Sequence, residues 1–346
     1  MLPSALAFDD STFENVRRVV DDAVEQGTHP SAVVTIARGD GTAWSHVAPG
    51  LTSHTFTSRF PIASITKPIV ALALMRLVER GALLVGDPVA RHLPSFARNG
   101  KERVTVRHLL THTSGLSVPE DVSNALWLDR ATREAYVEAA FDAPLAFEPG
   151  SHHAYVSVHG FEVLAALVTH LAQRDFTRVL HEEVFAPLGM IDTSFDVPDE
   201  SRLAHAPFQG GRDELAYWAS LTFASGGLMS TASDLLALGL TLLRGGRSGS
   251  YRLLSAGTLE VMTRLHTRGL RNDSGFAFQA LGWGKRSDAG VLLASDASFG
   301  HSGATGAFLW IDPVYDVVFV FLSSEGGTEP HRVPMLALNA TIAALT

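Results

Sequence analysis

The sequence feature that most constrains this chain is an apolar run that follows a Ser-x-x-Lys tetrad. From Pro68 to Val78 every residue except Arg76 is apolar. A run with no polar stripe at helical spacing predicts a helix that is buried on nearly all sides. The fold must therefore enclose this helix, and its polar groups, Ser64 and Lys67, gather at one end.

Ser64 and Lys67 are three residues apart, which places a hydroxyl and an amine on one face of the first helical turn. A buried lysine can lose its proton near neutral pH, whereas an arginine cannot. Of the 27 basic residues only Lys67, Lys101 and Lys285 are lysines. The pair predicts an activated serine nucleophile, although the tetrad alone is equally compatible with a chance match and a solvated lysine.

Length and composition exclude several classes of protein. The 346 residues are enough for two domains, or for one large domain with an insertion. A net charge of −9 argues against a nucleic-acid partner, and the lack of cysteine excludes disulfides, thiol catalysis and cysteine-ligated metals. Residues 1–10 lack the features of a signal peptide, and the apolar run is shorter than the ~20 residues that span a bilayer. We therefore expect a cytoplasmic protein without a membrane partner.

Helix and strand signals change along the chain. Ser11-x-x-Glu14 predicts a capping box that starts an amphipathic helix ending at Gly27. Strands are expected from Ser31 to Ala37, Thr42 to Val47, Phe276 to Trp283, Gly290 to Ser295, Gly306 to Ile311 and Val317 to Leu322. Helices are expected over Leu109 to Leu116, Leu126 to Phe141, Gly160 to Leu171, Phe176 to Leu188, from Thr231 to Gly245, and from Pro334 to Leu345.

These signals predict an α/β (α+β) fold. Strands at both ends of the sequence favour one antiparallel sheet, flanked by helices, that the N- and C-terminal segments complete together. The helix-rich middle reads as an inserted all-helical domain. We predict an α/β domain from residues 1–85 and 208–346, and a helical insertion at residues 86–207.

Three motifs stand in order along the chain: Ser64-x-x-Lys67, Tyr155-x-Ser157 and His301-Ser302-Gly303. With them the chain resembles the serine β-lactamase and penicillin-binding protein superfamily, in the class C-like branch that includes family VIII-type carboxylesterases, D-amino-peptide hydrolases and acyltransferases. The likeness extends in family order to the segments Leu109 to Leu116, Pro149-Gly150, Leu188-Gly189-Met190 and Ala224 to Leu228. Together these motifs are far more specific than the tetrad alone.

The resemblance implies a β-lactamase/DD-peptidase-like fold with the site between its two lobes, no cofactor and no metal. By that match Ser64 is the nucleophile, Lys67 and Tyr155 share the general-base and general-acid work, and the amides of Ser64 and Ala304 form the oxyanion hole. An adjacent ammonium can hold a tyrosine as phenolate well below its usual pKa of about 10. Whether the lysine or the tyrosine is the base stays open. Substrate binding is expected at Ser157, His301, Ser302 and Gly303.

Two departures from the family pattern bear on the substrate. The second motif usually ends in asparagine, which can grip the side-chain amide of a β-lactam or peptide, but here Ser157 offers one hydroxyl. The third motif of β-lactamases usually starts with a cationic lysine, whereas His301 is mostly neutral at pH 7. Both changes favour a neutral ester over an anionic β-lactam. We therefore expect a serine carboxylesterase, with a β-lactamase or a D-amino-peptide hydrolase or acyltransferase of the same mechanism as the alternative.

Other readings are weaker. An α/β-hydrolase needs Gly-x-Ser-x-Gly, and the segment Gly300 to Ala304 lacks the final glycine. A metal site from His152, His153 and His159 has no further ligand at suitable spacing. The glutamates and aspartates read as solvated helix faces. A relative that kept the fold and lost turnover is a different class of answer, and a small-molecule ester or amide is the expected partner of an active one. The sequence leaves the oligomeric state open.

Overall fold

The computed structural model describes residues 8–48, 50, 55–155, 158–199, 201–204, 211–272, 275–286, 292–323 and 331–346. The strands are β1 (Ala32–Ala37), β2 (Ala43–Ala48), β3 (Phe60–Pro61), β4 (Met229–Ser230), β5 (Arg247–Ser248), β6 (Tyr251–Arg252), β7 (Arg271–Asn272), β8 (Gly275–Phe276), β9 (Gly284–Lys285), β10 (Phe299–Ser302), β11 (Phe308–Asp312) and β12 (Val317–Leu322).

The α-helices are α1 (Glu14–Glu25), α2 (Thr66–Glu79), α3 (Val106–Leu110), α4 (Glu120–Leu128), α5 (Arg133–Asp142), α6 (His159–Ala172), α7 (Phe176–Leu180), α8 (Ala186–Leu188), α9 (Gly211–Ser220), α10 (Ala232–Leu243), α11 (Ala256–Thr263) and α12 (Arg332–Leu345). Short 3₁₀ helices cover Asp10–Phe13, Ala63–Ile65, Val89–Arg91 and Pro94–Gly100, and a π-helical turn at His181–Phe185 joins α7 to α8.

The central feature is one antiparallel sheet with the strand order β2-β1-β12-β11-β10-β9. Its first and last long strands lie side by side, with Val33 of β1 opposite Leu322 of β12. The prediction that the two ends of the chain complete one sheet is therefore confirmed. The α/β fold with helices around an antiparallel sheet is confirmed with it.

Both faces of this sheet are covered, which explains why β1 and β12 are apolar at successive positions rather than at alternate ones. Val34 and Phe319 belong to one core with residues of α1 and α12. Val33 and Val320 belong to a second core with residues of α2 and α10. The second core continues into the helical lobe, so a single apolar interior connects the sheet to the helices that carry the site.

The helix predicted from the apolar run is α2, and it is buried as expected. A 3₁₀ turn at Ala63–Ile65 leads into it, and its residues from Thr66 to Met75 are all buried. Within residues 86–199 and 201–204 all of the secondary-structure elements named above are helices, and none is a strand. The domain boundary at residue 85 stays a prediction, and the one at residues 207 and 208 lies outside the described residues.

Local predictions failed at several places. The helix expected from Leu109 to Leu116 ends at Leu110, as the last residue of α3. Asp9 caps a 3₁₀ turn ahead of α1, where its side chain accepts from the Ser11 amide at 2.9 Å, and α1 itself begins after Phe13 without a side-chain cap, so the predicted Ser11 box does not form. The predicted helix from Leu126 to Phe141 is two helices, α4 and α5, separated by Arg130 in a left-handed conformation with φ 52°.

The predicted strand from Phe276 to Trp283 is irregular apart from its first residue, since Gly282 adopts a φ of 77° and bonds to the Leu110 carbonyl. The strand that was missed is β10, which carries the third motif. Part of the segment predicted as a strand at residues 290–295 lies outside the described residues, and residues 292–295 are not in a strand.

A buried ion-pair network ties α2 to the helical lobe. The Glu183 carboxylate pairs with Arg76 of α2 and with Arg80, the residue that follows α2, at 2.7 Å each, and with Arg174. Arg76 also donates to the Leu253 carbonyl at 2.5 Å. The three cations offset the cost of burying the Glu183 carboxylate, so the network holds the far half of α2 in place.

Glu183→Gln should lower the free energy of unfolding by about 3 kcal/mol, because it leaves the buried Arg76 guanidinium without its charged partner. Equilibrium urea unfolding of the variant and the wild type measures this loss. A loss below about 1 kcal/mol, the range of exposed surface pairs, would show that the network does not hold α2.

Candidate active site

The turn that carries Ser64 is fixed by hydrogen bonds to a neighbouring strand segment. Ile62 donates to the Leu228 carbonyl at 3.0 Å, and the Leu228 amide donates to Thr66 Oγ1 at 3.2 Å. Ala63 has a φ of 43°, a left-handed conformation that non-glycine residues rarely adopt. Surrounding contacts must hold such a residue in place, so the serine stands on a constrained turn.

Lys67 lies against Ser64 inside the protein. Its Nζ is 3.1 Å from Ser64 Oγ and 2.6 Å from the Ser225 carbonyl oxygen, to which it donates. The side chain is 0% exposed. The aromatic rings of Tyr155 and Phe161 flank the amine, with their centroids 5.1 and 5.7 Å from Nζ. The amine therefore has two polar contacts, the Ser225 carbonyl and the Ser64 hydroxyl.

Burial changes the protonation of Lys67. Loss of solvent around the amine lowers the pKa of Lys67 to about 7, and the negative charge of Glu162 opposes part of that lowering. A substantial fraction of Lys67 is therefore neutral near pH 7. A neutral amine at hydrogen-bond distance from a serine hydroxyl has the geometry and the protonation state of a general base.

Tyr155 joins the same cluster. Its ring is 4.4 Å from the ring of His112 and 6.3 Å from that of His301, and Ser64 is near enough to its hydroxyl to lower the pKa of the phenol against the effect of burial. Although 45% of the residue is exposed, protein surrounds the hydroxyl, and this burial raises the pKa of Tyr155 to about 12. The raised pKa favours a protonated phenol at neutral pH.

The third motif lies at the end of β10, against the serine turn. A Cβ built on Gly303 would come 2.4 Å from the Ile62 carbonyl oxygen and 3.2 Å from Ala63 Cβ, so only glycine permits this approach. Thr305 Oγ1 donates to the Pro61 carbonyl at 2.6 Å and fastens the turn to the segment ahead of Ser64. Ala304 follows Gly303 in this turn and is exposed.

His301 is buried and neutral. Its Nδ1 donates to the Ser302 carbonyl oxygen at 2.8 Å, which leaves Nε2 as the acceptor nitrogen. Burial, with the nearby Lys67 as a second cause, lowers the pKa of His301 to about 4. This residue therefore supplies no cation for a substrate carboxylate at neutral pH. Ser302 is half-buried on the same strand.

The structure thus brings Ser64, Lys67, Tyr155, His301 and Gly303 together in one cluster. Ser157 lies outside the described residues. The roles of these residues and the oxyanion pair of Ser64 and Ala304 stay predictions.

Glu162 was not predicted as a residue of the site, because it was grouped with the solvated carboxylates of the helix faces. The residue is fully buried on α6, beside the loop that receives Lys67. A signal was present, because Glu162 is the single carboxylate of an otherwise mostly apolar helix.

The described residues contain no group of three or more histidine, cysteine, aspartate or glutamate side chains arranged to hold a metal ion. His159 instead bonds to Ser123 Oγ at 2.9 Å and to the Tyr136 carbonyl at 3.2 Å. Within the same residues, no helix has the length and apolar character required to cross a membrane.

The sequence is similar to known proteins over most of its length. The family model described as Beta-lactamase matches residues 16–344. A putative D-alanyl-D-alanine carboxypeptidase of Escherichia coli K12 is 28% identical over 313 residues, which are 79% of this chain and 69% of that protein. Esterase EstB of Burkholderia gladioli is 33% identical over 234 residues, which are 61% of this chain and 59% of EstB.

Solved structures show the same fold. EstCE1, described as a hydrolase with promiscuous acyltransferase activity, superposes with a TM-score of 0.82 at 25% identity, covering 96% of this chain and 98% of that one. A family VIII carboxylesterase superposes with a TM-score of 0.82 at 18% identity, covering 99% of each chain.

Gly303→Ala should slow the reaction of Ser64 with a fluorophosphonate by about 100-fold, because the added methyl pushes the Gly303 turn off the serine turn by the order of 1 Å. Gly86→Ala is the matched control, since its Cβ would meet open space. Labelling followed by intact-mass spectrometry gives the rates. Equal rates for the two variants would show that the close approach at Gly303 does not shape the site.

Proposed function

The chain belongs to the Beta-lactamase family and is a hydrolase of that fold, and from this we propose that it cleaves carboxylic esters through an acyl-enzyme on Ser64. The observation that carries the proposal is the buried Lys67 amine 3.1 Å from Ser64 Oγ. A serine hydroxyl is a poor nucleophile until a neighbouring base takes its proton, and this amine is such a base.

In the acylation step Ser64 Oγ forms a bond to the ester carbonyl carbon and gives its proton to Lys67. The alkoxide leaves as the ester C–O bond breaks, and it takes a proton from the Tyr155 hydroxyl. With a pKa of about 12 the phenol is protonated at neutral pH and is a stronger acid than an ordinary alcohol. Lys67 is thus the base and Tyr155 the acid of this step.

In the deacylation step water attacks the acyl carbon and gives a proton to the Tyr155 phenolate. The Ser64 oxygen leaves and recovers its proton from the Lys67 ammonium, so both groups return to their starting states. In each step the amides of Ser64 and Ala304 stabilise the oxyanion. A donor of this kind contributes about 3 kcal/mol in comparable sites.

A neutral ester fits the site better than an anionic substrate. His301 stands where β-lactamases of the family usually carry a lysine, and its burial keeps it uncharged. A substrate carboxylate at this position would lose its solvent without gaining a cation. The identity with EstB, an esterase, supports the same substrate class.

The second candidate is a β-lactamase or D-amino-peptide hydrolase that uses the same residues. The match to a putative D-alanyl-D-alanine carboxypeptidase favours it. Transfer of the acyl group to an alcohol requires only that an alcohol replace water in the second step, and EstCE1 is described as having such activity. A catalytically inactive relative is disfavoured because the serine, the amine and the phenol are in contact.

Parallel steady-state assays on a p-nitrophenyl short-chain ester and a chromogenic cephalosporin test the proposal. We expect kcat/KM for the ester to exceed that for the cephalosporin by about tenfold or more, since a carboxylate without a cationic partner forfeits a hydrogen bond worth roughly 1.5–3 kcal/mol. Ser64→Ala should lower ester turnover by a factor on the order of 10⁶.

Intact-mass spectrometry during turnover should show the acyl group on wild-type protein and not on Ser64→Ala. Faster cephalosporin turnover would reverse the order of the two candidates. The absence of both turnover and a burst would indicate an inactive relative.

A further inference from the structure

Glu162 is a buried carboxylate that the mechanism above does not use. It lies on α6 and is 0% exposed. Its Oε2 accepts from the Ala224 amide at 3.3 Å, and its Oε1 accepts from both the amide and the hydroxyl of Ser225, at 3.0 and 2.9 Å. The same Ser225 receives Lys67 through its carbonyl oxygen at 2.6 Å. One residue therefore connects Glu162 to the lysine.

The loop needs an acceptor at this point, but it does not need a charge. A neutral side chain can accept hydrogen bonds from amides at a much lower desolvation cost than a carboxylate. The other deeply buried glutamate described above, Glu183, has three arginines beside it. Glu162 instead accepts its hydrogen bonds from neutral donors, the Ala224 amide and the amide and hydroxyl of Ser225.

We propose that Glu162 is a positioning residue for Lys67: it clamps the Ala224–Ser225 backbone so that the Ser225 carbonyl aims the amine at Ser64. The inference rests on the proposed role of Lys67 as base. Glu162 touches neither the substrate nor Ser64 in this arrangement, and acts through Ser225 and through space.

The charged and titratable groups around Glu162 and Lys67 determine how the Glu162 charge changes the pKa of Lys67. His112, Tyr155 and His301 face Lys67, and burial keeps all three neutral at pH 7. Arg133 of α5 acts on Glu162 from the other side. Burial raises the pKa of Glu162 to about 7, and its negative charge raises the pKa of Lys67 against the lowering by burial.

Removing this charge should let Lys67 lose its proton more easily. In Glu162→Gln the acidic limb of the pH profile for Ser64 acylation should therefore move to lower pH than in the wild type. The plateau rate should fall by about 10- to 100-fold, because a glutamine places an amide donor against the Ala224 amide and shifts the loop. KM for the ester should change little.

The experiment measures the rate of fluorophosphonate labelling of Ser64 between pH 5 and pH 9 (about two units to either side of neutral). This reagent reports on the serine whatever the natural substrate is, so a failure of the ester proposal and a failure of this inference are separate outcomes. Glu183→Gln is the control for the position of the acidic limb alone: it removes a buried carboxylate that does not contact the lysine, so its limb should stay at the wild-type pH even where its plateau falls.

Glu162→Asp keeps the charge and shortens the reach, so its acidic limb should stay near the wild-type position while its plateau falls. Ser225→Ala removes one of the hydrogen bonds and keeps the carbonyl, and should lower the plateau only a few-fold without moving the limb. These two variants carry the test if Glu162→Gln does not fold. The proposal would be overturned if the acidic limb of Glu162→Gln lay at the same pH as the limbs of the wild type and of Glu183→Gln. It would also be overturned if the limb of Glu162→Asp moved to lower pH by as much as that of Glu162→Gln.

Discussion

The structure depends on one electrostatic constraint, which is that a lysine lies at the start of a buried helix and has almost no solvent around it. Because α2 is apolar from Pro68 to Met75, the fold has to surround it, and Lys67 is enclosed with it. Burial of a lone ammonium is costly, and the protein lowers that cost by letting the amine discharge. The same desolvation that destabilises the charged form prepares the base next to Ser64.

The site is assembled from segments that are far apart in the sequence. Ser225 accepts from the lysine, the Gly303 turn packs on the serine turn, and Tyr155 arrives from the helical lobe. Each of these contacts requires a close backbone approach or a carbonyl aimed at one atom. The small strand pair β3 and β4 and the buried network around Glu183 hold these segments in register.

The sequence predicted the fold and the cluster because their signals are local or ordered. An apolar run predicts α2, strand signals at both ends of the sequence predict the sheet, and three motifs in family order predict the residues of the site. It indicated that a buried Lys67 can lose its proton and that His301 is mostly neutral, but not how far the pKa values shift, because the shifts depend on enclosure by other segments. Glu162 was misread for the same reason: a carboxylate on a helix is solvated unless a partner loop, here Ala224–Ser225, lies against it.

The chain's own composition allows a direct test of the central claim. With Lys67, Lys101 and Lys285 as its lysines, protein labelled with ¹³C at lysine Cε gives a sparse NMR spectrum, and the Lys67→Arg variant identifies the signal of interest. The account predicts that this signal titrates at a pKa of about 7. A Lys67 signal that stays in its protonated position up to the ordinary lysine pKa of about 10.4 would contradict it.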